Sequence, residues 1–279
     1  MEVTPHIHFI PNPTTGPAGT HGANVFLVGE KERVIIDTGH ADEAAVAGKL
    51  EYLKGLGEPK ITRILLTHRH IDHVGGAPKI KEATGASIIL HKLEVYKENP
   101  HAPVLTPDEW VEGGEVFRLD SLELEVVHTP GHTPGHCCFY LRDEGVLFAG
   151  DHIAGAGTTA IIPPFGDMKQ YLDALHHLLS FRARLICPGH GPIVKDPETK
   201  IRELIQHRMD REEQVLSCLR RGLRTVDAMV QDIYPELEKR LLQAAKGQVT
   251  AHLNKLESED RVRVILVAED KKEYELTRS

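Results

Sequence analysis

The first two thirds of the chain alternate short apolar runs with amphipathic stretches. Apolar runs at residues 24–28, 33–37 and 62–67 predict strands, and helical spacing over 43–56 and 168–180 predicts helices. The first two strands are joined by Gly-Glu-Lys-Glu, a hairpin connection, whereas other strands are joined through helices. This mixture predicts an α/β fold with sheets packed face to face and helices outside. Further strands are predicted at 6–10, 86–90, 123–128, 137–141, 146–148 and 184–187, and a further helix at 75–83.

A second, smaller unit is predicted after residue 195. Asp196 can cap a helix whose first residue is Pro197, and Gly222 suits the end of that helix. Helical stretches at 225–233 and 236–256 and β-like runs at 262–267 and 273–276 follow. Three helices and a hairpin in this order resemble a winged helix-turn-helix module. The sequence therefore predicts a catalytic domain at 1–195 and a winged-helix-like module at 196–279.

The charge and composition are those of an ordinary globular protein. The chain has a formal net charge of −8, with 41% hydrophobic and 27% charged residues, so it has no general attraction to nucleic acid or anionic membranes. No apolar stretch approaches the ~18 residues of a membrane span, and the start lacks the pattern of a secretion signal. The cysteines show no C-x-x-C spacing and are expected to be reduced thiols. These features predict a cytoplasmic protein with no membrane partner.

The most informative stretch is Thr-His-Arg-His-Ile-Asp-His at residues 67–73, which follows an apolar strand. A strand that ends in a tight loop can place His68 and His70 on one side, while the turn carries Asp72 and His73 to an adjacent point. Imidazole and carboxylate groups are suitable ligands for zinc, iron and manganese. One short segment can therefore supply ligands to two metal ions.

Three other predicted strands end in glycine-containing loops that carry the same kinds of ligand, namely His132, Asp151 and His190. Strand ends converge in layered folds, so these loops are expected to meet the first motif. His136 and His152 are expected beside the ligands rather than among them, and most of the other histidines are expected to be ordinary surface or hydrogen-bonded residues. The predicted metal ligands are His68, His70, Asp72, His73, His132, Asp151 and His190.

These motifs resemble the metallo-β-lactamase superfamily and, within it, the β-lactamase-like protein 2 group. The resemblance extends to Gly-Ala-Asn-Val-Phe-Leu-Val-Gly at 22–29, Ile-Asp-Thr-Gly at 36–39, Gly-Ala-Gly-Thr-Thr at 155–159 and His-Arg at 207–208. It implies an αββα sandwich with the metals at one edge, between the sheets. It also implies that Asp37 supports the loop of His68 and His70. The implied ligand sets are His68, His70 and His132 for one metal and Asp72, His73 and His190 for the other, with Asp151 as the bridge.

The implied chemistry is hydrolysis by two divalent ions, with zinc as the expected metal. Two cations about 3.5–4 Å apart lower the pKa of a bridging water, so a hydroxide is available at neutral pH to attack a carbonyl or phosphoryl centre. Asp72 is expected to be catalytic as well as a ligand, by orienting this nucleophile or accepting its proton.

The sequence leaves the substrate open. Resemblance to the β-lactamase-like protein 2 group favours phosphodiester hydrolysis of single-stranded RNA, as by an endoribonuclease. Residues 200–279 contain 16 Lys and Arg against 15 Asp and Glu, which leaves −9 on residues 1–199 and little charge for phosphate binding. The alternative is a small acyl substrate, a thioester or lactone, as in similar glyoxalase II enzymes and acyl-carrier-protein thioesterases, with the module as a lid or dimer element. A third hypothesis is that the protein is a mononuclear iron persulfide dioxygenase. The oligomeric state is not predicted.

Overall fold

The computed structural model describes residues 1–10, 22–94, 105–268 and 271–277. Two β-sheets lie at the centre of the larger part. The first sheet contains, in spatial order, β1 (Glu2–Thr4), β2 (Ile7–Ile10), β3 (Val25–Gly29), β4 (Glu32–Ile36), β5 (Lys60–Leu65), β6 (Ser87–His91) and β7 (Glu109–Val111). Neighbours are antiparallel from β1 to β4 and parallel from β4 to β7.

The second sheet has five strands. They are β8 (Val116–Leu119), β9 (Leu122–His128), β10 (Cys137–Leu141), β11 (Val146–Gly150) and β12 (Leu185–Pro188). Their spatial order is β12-β11-β10-β9-β8, and only the β11–β12 pair is parallel.

The two sheets face each other across one apolar core. Alternate side chains of β3 divide between two layers: Phe26 and Val28 point to the other sheet, while Val25 and Leu27 point outward. The second sheet contributes residues such as Phe148 to the core between the sheets, where its ring lies 5.4 Å from that of Phe26. Because both faces of these strands are buried, their sequences are nearly continuous apolar runs.

Helices cover the outer faces of both sheets. The helices α1 (Glu43–Gly55) and α3 (Ala77–Thr84) pack on the first sheet, and a short helix, α2 (Ile71–Val74), precedes α3. The helix α4 (Met168–Leu179) and the first half of α5 (Pro197–Arg220) pack on the second sheet. The layers are helix, sheet, sheet and helix, which confirms the predicted αββα sandwich.

The C-terminal part forms a module with its own core. It consists of the second half of α5, α6 (Val226–Ile233), α7 (Leu242–Ser258) and a hairpin of β13 (Val262–Ala268) and β14 (Lys271–Leu276). Buried side chains such as Leu219, Met229 and Leu253 join these elements. The winged-helix arrangement is confirmed. The predicted boundary at 195/196 stays a prediction, because α5 contributes its first half to the core beside the second sheet and its second half to the module.

Several predicted elements differ at their ends, and three strands were missed. The strands β1, β7 and β8 are short and carry exposed polar residues, so their apolar pattern is weak. The predicted helix at 236–256 begins later, at Leu242, because the chain first makes a turn at Tyr234–Leu237 and a 3₁₀ helix at Lys239–Leu241. The four cysteines are free and buried. Within the described residues, no helix is both long enough and apolar enough to cross a membrane.

Candidate metal centre

The predicted ligands come together where strands of both sheets end. His68 and His70 follow β5, and Asp72 and His73 lie on α2. The other sheet contributes the loop between β9 and β10, the residue after β11 and the loop after β12, which carry His132, Asp151 and His190 respectively. The structure thus brings all seven predicted side chains to one place, in two groups.

The first group contains three imidazoles and one carboxylate. The Nδ1 atom of His70 lies 2.9 Å from Nε2 of His68 and 3.1 Å from Nε2 of His132. The donor atoms of these rings and of Asp151 all lie within 4.8 Å of one another. His68 is completely buried, so this group forms the inner half of the centre.

The second group contains Asp72, His73 and His190. The Nε2 atom of His190 lies 3.1 Å from Oδ2 of Asp72, and Nε2 of His73 lies 3.8 Å from the same oxygen. The side chains of Asp72 and His190 are 25% and 33% exposed, whereas His73 is buried. Asp72 and His190 therefore lie on the side of the centre that is open to solvent.

Asp151 lies between the two groups and directs one oxygen to each. Its Oδ1 is 3.1 Å from Nε2 of His73 and 3.5 Å from Nε2 of His190, and its Oδ2 is 3.6 Å from Nε2 of His132. Its position is fixed by its backbone N–H, which donates to Nε2 of the buried His136 over 3.2 Å. His136 thus supports a predicted ligand.

Outer hydrogen bonds determine which ring nitrogens face inward. The Nδ1–H of His73 donates to Asp37 over 2.7 Å, and that of His132 donates to the Ala160 carbonyl over 3.0 Å. The hydroxyl of Thr67 donates to Asp37 and so can accept from Nδ1–H of His68 at 3.0 Å. Each neutral ring then presents the lone pair of Nε2 to the centre, the arrangement found around protein-bound metals.

The inward-facing atoms of both groups suit a metal cation. If the Nε2 atoms of His68 and His132 are both unprotonated, Nδ1 of His70 can donate to only one of them. In addition, Nε2 of His73 and Oδ1 of Asp151 are buried and lie 3.1 Å apart, so these two acceptors repel each other unless a proton or a metal cation lies between them. Unpaired buried acceptors are costly, and a cation in each group would satisfy them together.

Burial and neighbouring charges shift the pKa values in the sense that such a site needs. Burial, together with His132 and His73, lowers the pKa of His70 to about 4, so its ring is neutral at pH 7. Burial alone would raise the pKa of Asp72, but its hydrogen bond with His190 and the charge of His73 lower it to about 2. Burial opposes protonation of His73, yet Asp151 and Asp37 raise its pKa well above the ordinary value. A cation in place of that proton would be held by the same carboxylates.

Asp37 supports the centre more directly than was expected. Its carboxylate accepts from the backbone N–H of Thr67 at 2.9 Å, from the Thr67 hydroxyl and from His73. It therefore holds the start of the loop that carries His68 and also orients a ring of the second group. Asp37 itself has φ of 55°, a strained backbone conformation for a residue other than glycine.

Two further supporting residues were not predicted to act at the site. Glu94 is completely buried and accepts from the backbone N–H groups of Arg69 and Gly135, each at 2.8 Å, so it joins the loops of the two sheets. Asn24 donates from its side chain to the carbonyls of Pro188 and Gly191, on either side of His190. Asn24 lies in the stretch at 22–29 that carried the resemblance, but nothing in the pattern distinguished Glu94.

Comparison with known proteins agrees with this architecture. The family model of the metallo-beta-lactamase superfamily matches residues 18–190, and that of the beta-lactamase associated winged helix domain matches residues 225–269. A Drosophila melanogaster protein named beta-lactamase-like protein 2 homolog is 34% identical over 89% of this chain and 87% of its own length. The atrochrysone carboxyl ACP thioesterase of Aspergillus fumigatus is 32% identical over 73% of this chain and 62% of its own.

A solved structure extends the agreement to the whole fold. The crystal structure of a metallo-beta-lactamase family protein from Thermus thermophilus superposes with a TM-score of 0.79 at 25% identity, covering 99% of this chain and 100% of that one. The match therefore includes the C-terminal module as well as the sandwich. From the family model, the relatives and the fold together, the chain belongs to the metallo-β-lactamase superfamily of hydrolases and carries that superfamily's associated winged-helix domain.

Proposed function

We propose that the protein is a two-metal hydrolase. In this proposal His68, His70 and His132 hold one divalent ion, and Asp72, His73 and His190 hold the other. The observation that carries it is the position of Asp151, whose two oxygens face different ligand groups. A carboxylate shared in this way suits two ions better than one. Zinc is the proposed metal, because imidazole and carboxylate ligands both suit it.

Two bound divalent ions would supply an acidified water as nucleophile and polarise the substrate oxygen. The residues of the chain then have separate tasks. The open side formed by Asp72 and His190 is where a substrate can approach. A carboxylate with a pKa near 2 is a weak proton acceptor at neutral pH, so we assign Asp72 to orienting the nucleophile rather than to storing its proton.

For the substrate, we propose an acyl compound, and a thioester in particular. In helix-turn-helix proteins the recognition helix lies free to enter a nucleic-acid groove. Here α7 is packed against the catalytic domain: Ala251 joins the core beside the second sheet, and a Cβ at Gly247 would lie 2.8 Å from the Ile162 side chain. Residues 1–199 also carry a net charge of −9, whereas residues 200–279 carry a net charge of +1. The thioesterase relative supports the same substrate class.

Hydrolysis of single-stranded RNA is the second candidate, and one structural feature favours it. A cleft of about 740 Å³ lies between the segment after residue 162 and the module, and Lys169, Lys255 and Lys272 line it. The cleft is close to the centre, because its wall residue Asp167 donates from its backbone N–H to Gly131, next to His132. Lys169 and Lys255 already pair with carboxylates, which weakens the cleft as a phosphate site.

Metal analysis and hydrolysis should be measured on the same preparation. The substrates are a glutathione thioester, a single-stranded RNA and an activated phosphodiester. Two zinc ions per chain and thioester turnover would support the proposal, whereas RNA cleavage without thioester turnover would replace it with the second candidate. One iron per chain with oxygen consumption would contradict both hydrolase candidates and favour the hypothesis of a persulfide dioxygenase. The Asp151→Ala variant is expected to abolish whichever hydrolysis is found.

A further inference from the structure

An arginine of α5 connects the winged-helix module to the metal centre. Arg208 is only 3% exposed. Its Nη2 donates to the carbonyl of Thr159 over 2.5 Å, and its Nη1 donates to the side chain of Gln248 on α7 over 3.3 Å. Its guanidinium also lies 5.3 Å from the centre of the Tyr171 ring. One side chain thus touches a loop, the module and α4.

The loop that Arg208 holds reaches one ligand of each metal group. At its start, the backbone N–H of Gly155 donates to the carbonyl of His190 over 2.8 Å. Near its end, the carbonyl of Ala160 accepts the Nδ1–H of His132 at 3.0 Å. The Arg208 contact is therefore on the peptide that joins Thr159 to Ala160, and the His132 contact is on the next peptide along the chain.

Burying the charged guanidinium of Arg208 at this position costs folding free energy. Among the described residues no carboxylate pairs with it, so a carbonyl, an amide oxygen and an aromatic ring replace its hydration. A buried cation without a counter-ion destabilises a fold, whereas an apolar side chain of similar length would fill the same space at no such cost. The five donors of a planar guanidinium can instead fix a carbonyl in direction as well as in distance.

We propose that Arg208 is a positioning residue for His132. By holding the Thr159 carbonyl, it holds the adjacent peptide so that the Ala160 carbonyl accepts from Nδ1 of His132. That bond keeps the proton on Nδ1 and directs Nε2 towards the centre. The winged-helix module then acts as a part of the active site, because Gln248 of α7 holds the same loop at Thr159. Lys200, on the first half of α5, holds this loop at Gly157. This inference rests on the proposed metal-binding function.

Arg208→Met tests the proposal, and Arg211→Met is its matched control. Arg211 lies one turn further along α5 and packs over the Tyr234 ring, 4.3 Å from its centre, within the module. Both variants lose one arginine from the same helix, but only the first loses a contact with the loop. Arg208→Lys, which keeps a charge and one donor, is expected to restore part of the effect.

The readout is independent of hydrolysis. In the cobalt-substituted protein, the outward-facing ring N–H protons of the ligand histidines, Nδ1–H in His132 and His73, give exchangeable, paramagnetically shifted proton signals. In Arg208→Met the His132 signal is expected to exchange with water roughly tenfold faster, and the affinity for one of the two ions to fall roughly tenfold, in the range of lost outer-ligand contacts. The His73 signal, whose partner is Asp37, is expected to stay unchanged and is identified by its loss in Asp37→Asn.

The outcomes separate this inference from the proposed function. If the native protein binds no pair of cobalt ions, both are wrong. If it binds two ions and Arg208→Met matches Arg211→Met within twofold in exchange and affinity, only the role of Arg208 is wrong. If Arg208→Met does not fold, Gln248→Leu is measured in its place: a smaller change confined to the His132 signal supports the proposal, and an unchanged signal overturns it.

Discussion

Replacement of Asp37 by asparagine tests whether the ring orientation of His73 matters for metal binding. The carboxylate of Asp37 accepts three hydrogen bonds. The donors are the backbone N–H of Thr67, the hydroxyl of Thr67 and Nδ1–H of His73. An amide has the same shape but one of its two ends is an NH₂ group. That end must face a donor, so the substitution cannot keep all three bonds.

Either orientation of the new amide weakens the centre. If its NH₂ faces His73, the ring can accept only by moving its proton from Nδ1 to Nε2, the atom that lies 3.1 Å from Asp151. A protonated Nε2 cannot bind a metal. If the NH₂ faces Thr67 instead, a buried N–H loses its partner, which costs about 1–3 kcal/mol of folding stability. We expect a 10–100-fold loss of metal affinity, which is about 1.4–2.8 kcal/mol.

The affinity can be measured by competition with a chromophoric chelator at pH 7. Asp143→Asn is the matched control, because Asp143 accepts from the backbone N–H of Glu123 at an exposed position away from the centre. It removes the same charge from the same domain. An Asp37→Asn affinity within twofold of that control would refute the argument from ring orientation.

Three further predictions concern Asp151 of the metal centre, the buried carboxylate of Glu94 and the buried ring of His252. Asp151→Asn is expected to reduce the metal content from two ions to one, as measured by elemental analysis, because one end of its amide cannot bind a cation; two tightly bound ions in this variant would contradict the bridging role. Glu94→Gln is expected to destabilise the metal-free protein by about 2–3 kcal/mol in urea unfolding, since one of its two backbone donors is left buried and unpaired. Glu115→Gln, whose carboxylate accepts two backbone N–H groups at an exposed turn, should cost much less. Burial and the charges of Arg208 and Lys255 lower the pKa of His252 to about 3, so the folded state resists its protonation.

The sign of the His252 effect follows from proton binding. Between pH 6.5 and 3 the unfolded chain holds a proton on His252 that the folded protein does not, so this residue makes stability fall as the pH falls, by up to about 1.4 kcal/mol per pH unit. His252→Leu is expected to remove that part of the slope, as measured by unfolding of both metal-free proteins at pH 7, 6 and 5. Parallel stability curves for the two proteins would show that His252 does not contribute.

The sequence by itself determined the layers and the module, and it predicted which residues bind the metals. The spacing of apolar residues and the length of each apolar run depend only on residues that are close along the chain. These two features were sufficient to predict most strands and helices. The predicted ligands lie at strand ends in short stretches such as 67–73, where the residue types alone indicate metal chemistry. Only short elements with exposed residues, such as β7, escaped this reasoning.

Only the tertiary structure decided which distant groups meet. Glu94 joins loops that lie 25 and 41 residues away along the chain, and Arg208 reaches a carbonyl 49 residues away. In the sequence each is one charged residue among many, and no local period distinguishes it from a solvated side chain. The packing of α7 against the sandwich is equally invisible, because an amphipathic helix buries its apolar face in any suitable partner. These long-range contacts hold the loops that carry the predicted ligands, and local sequence patterns carry no information about such contacts.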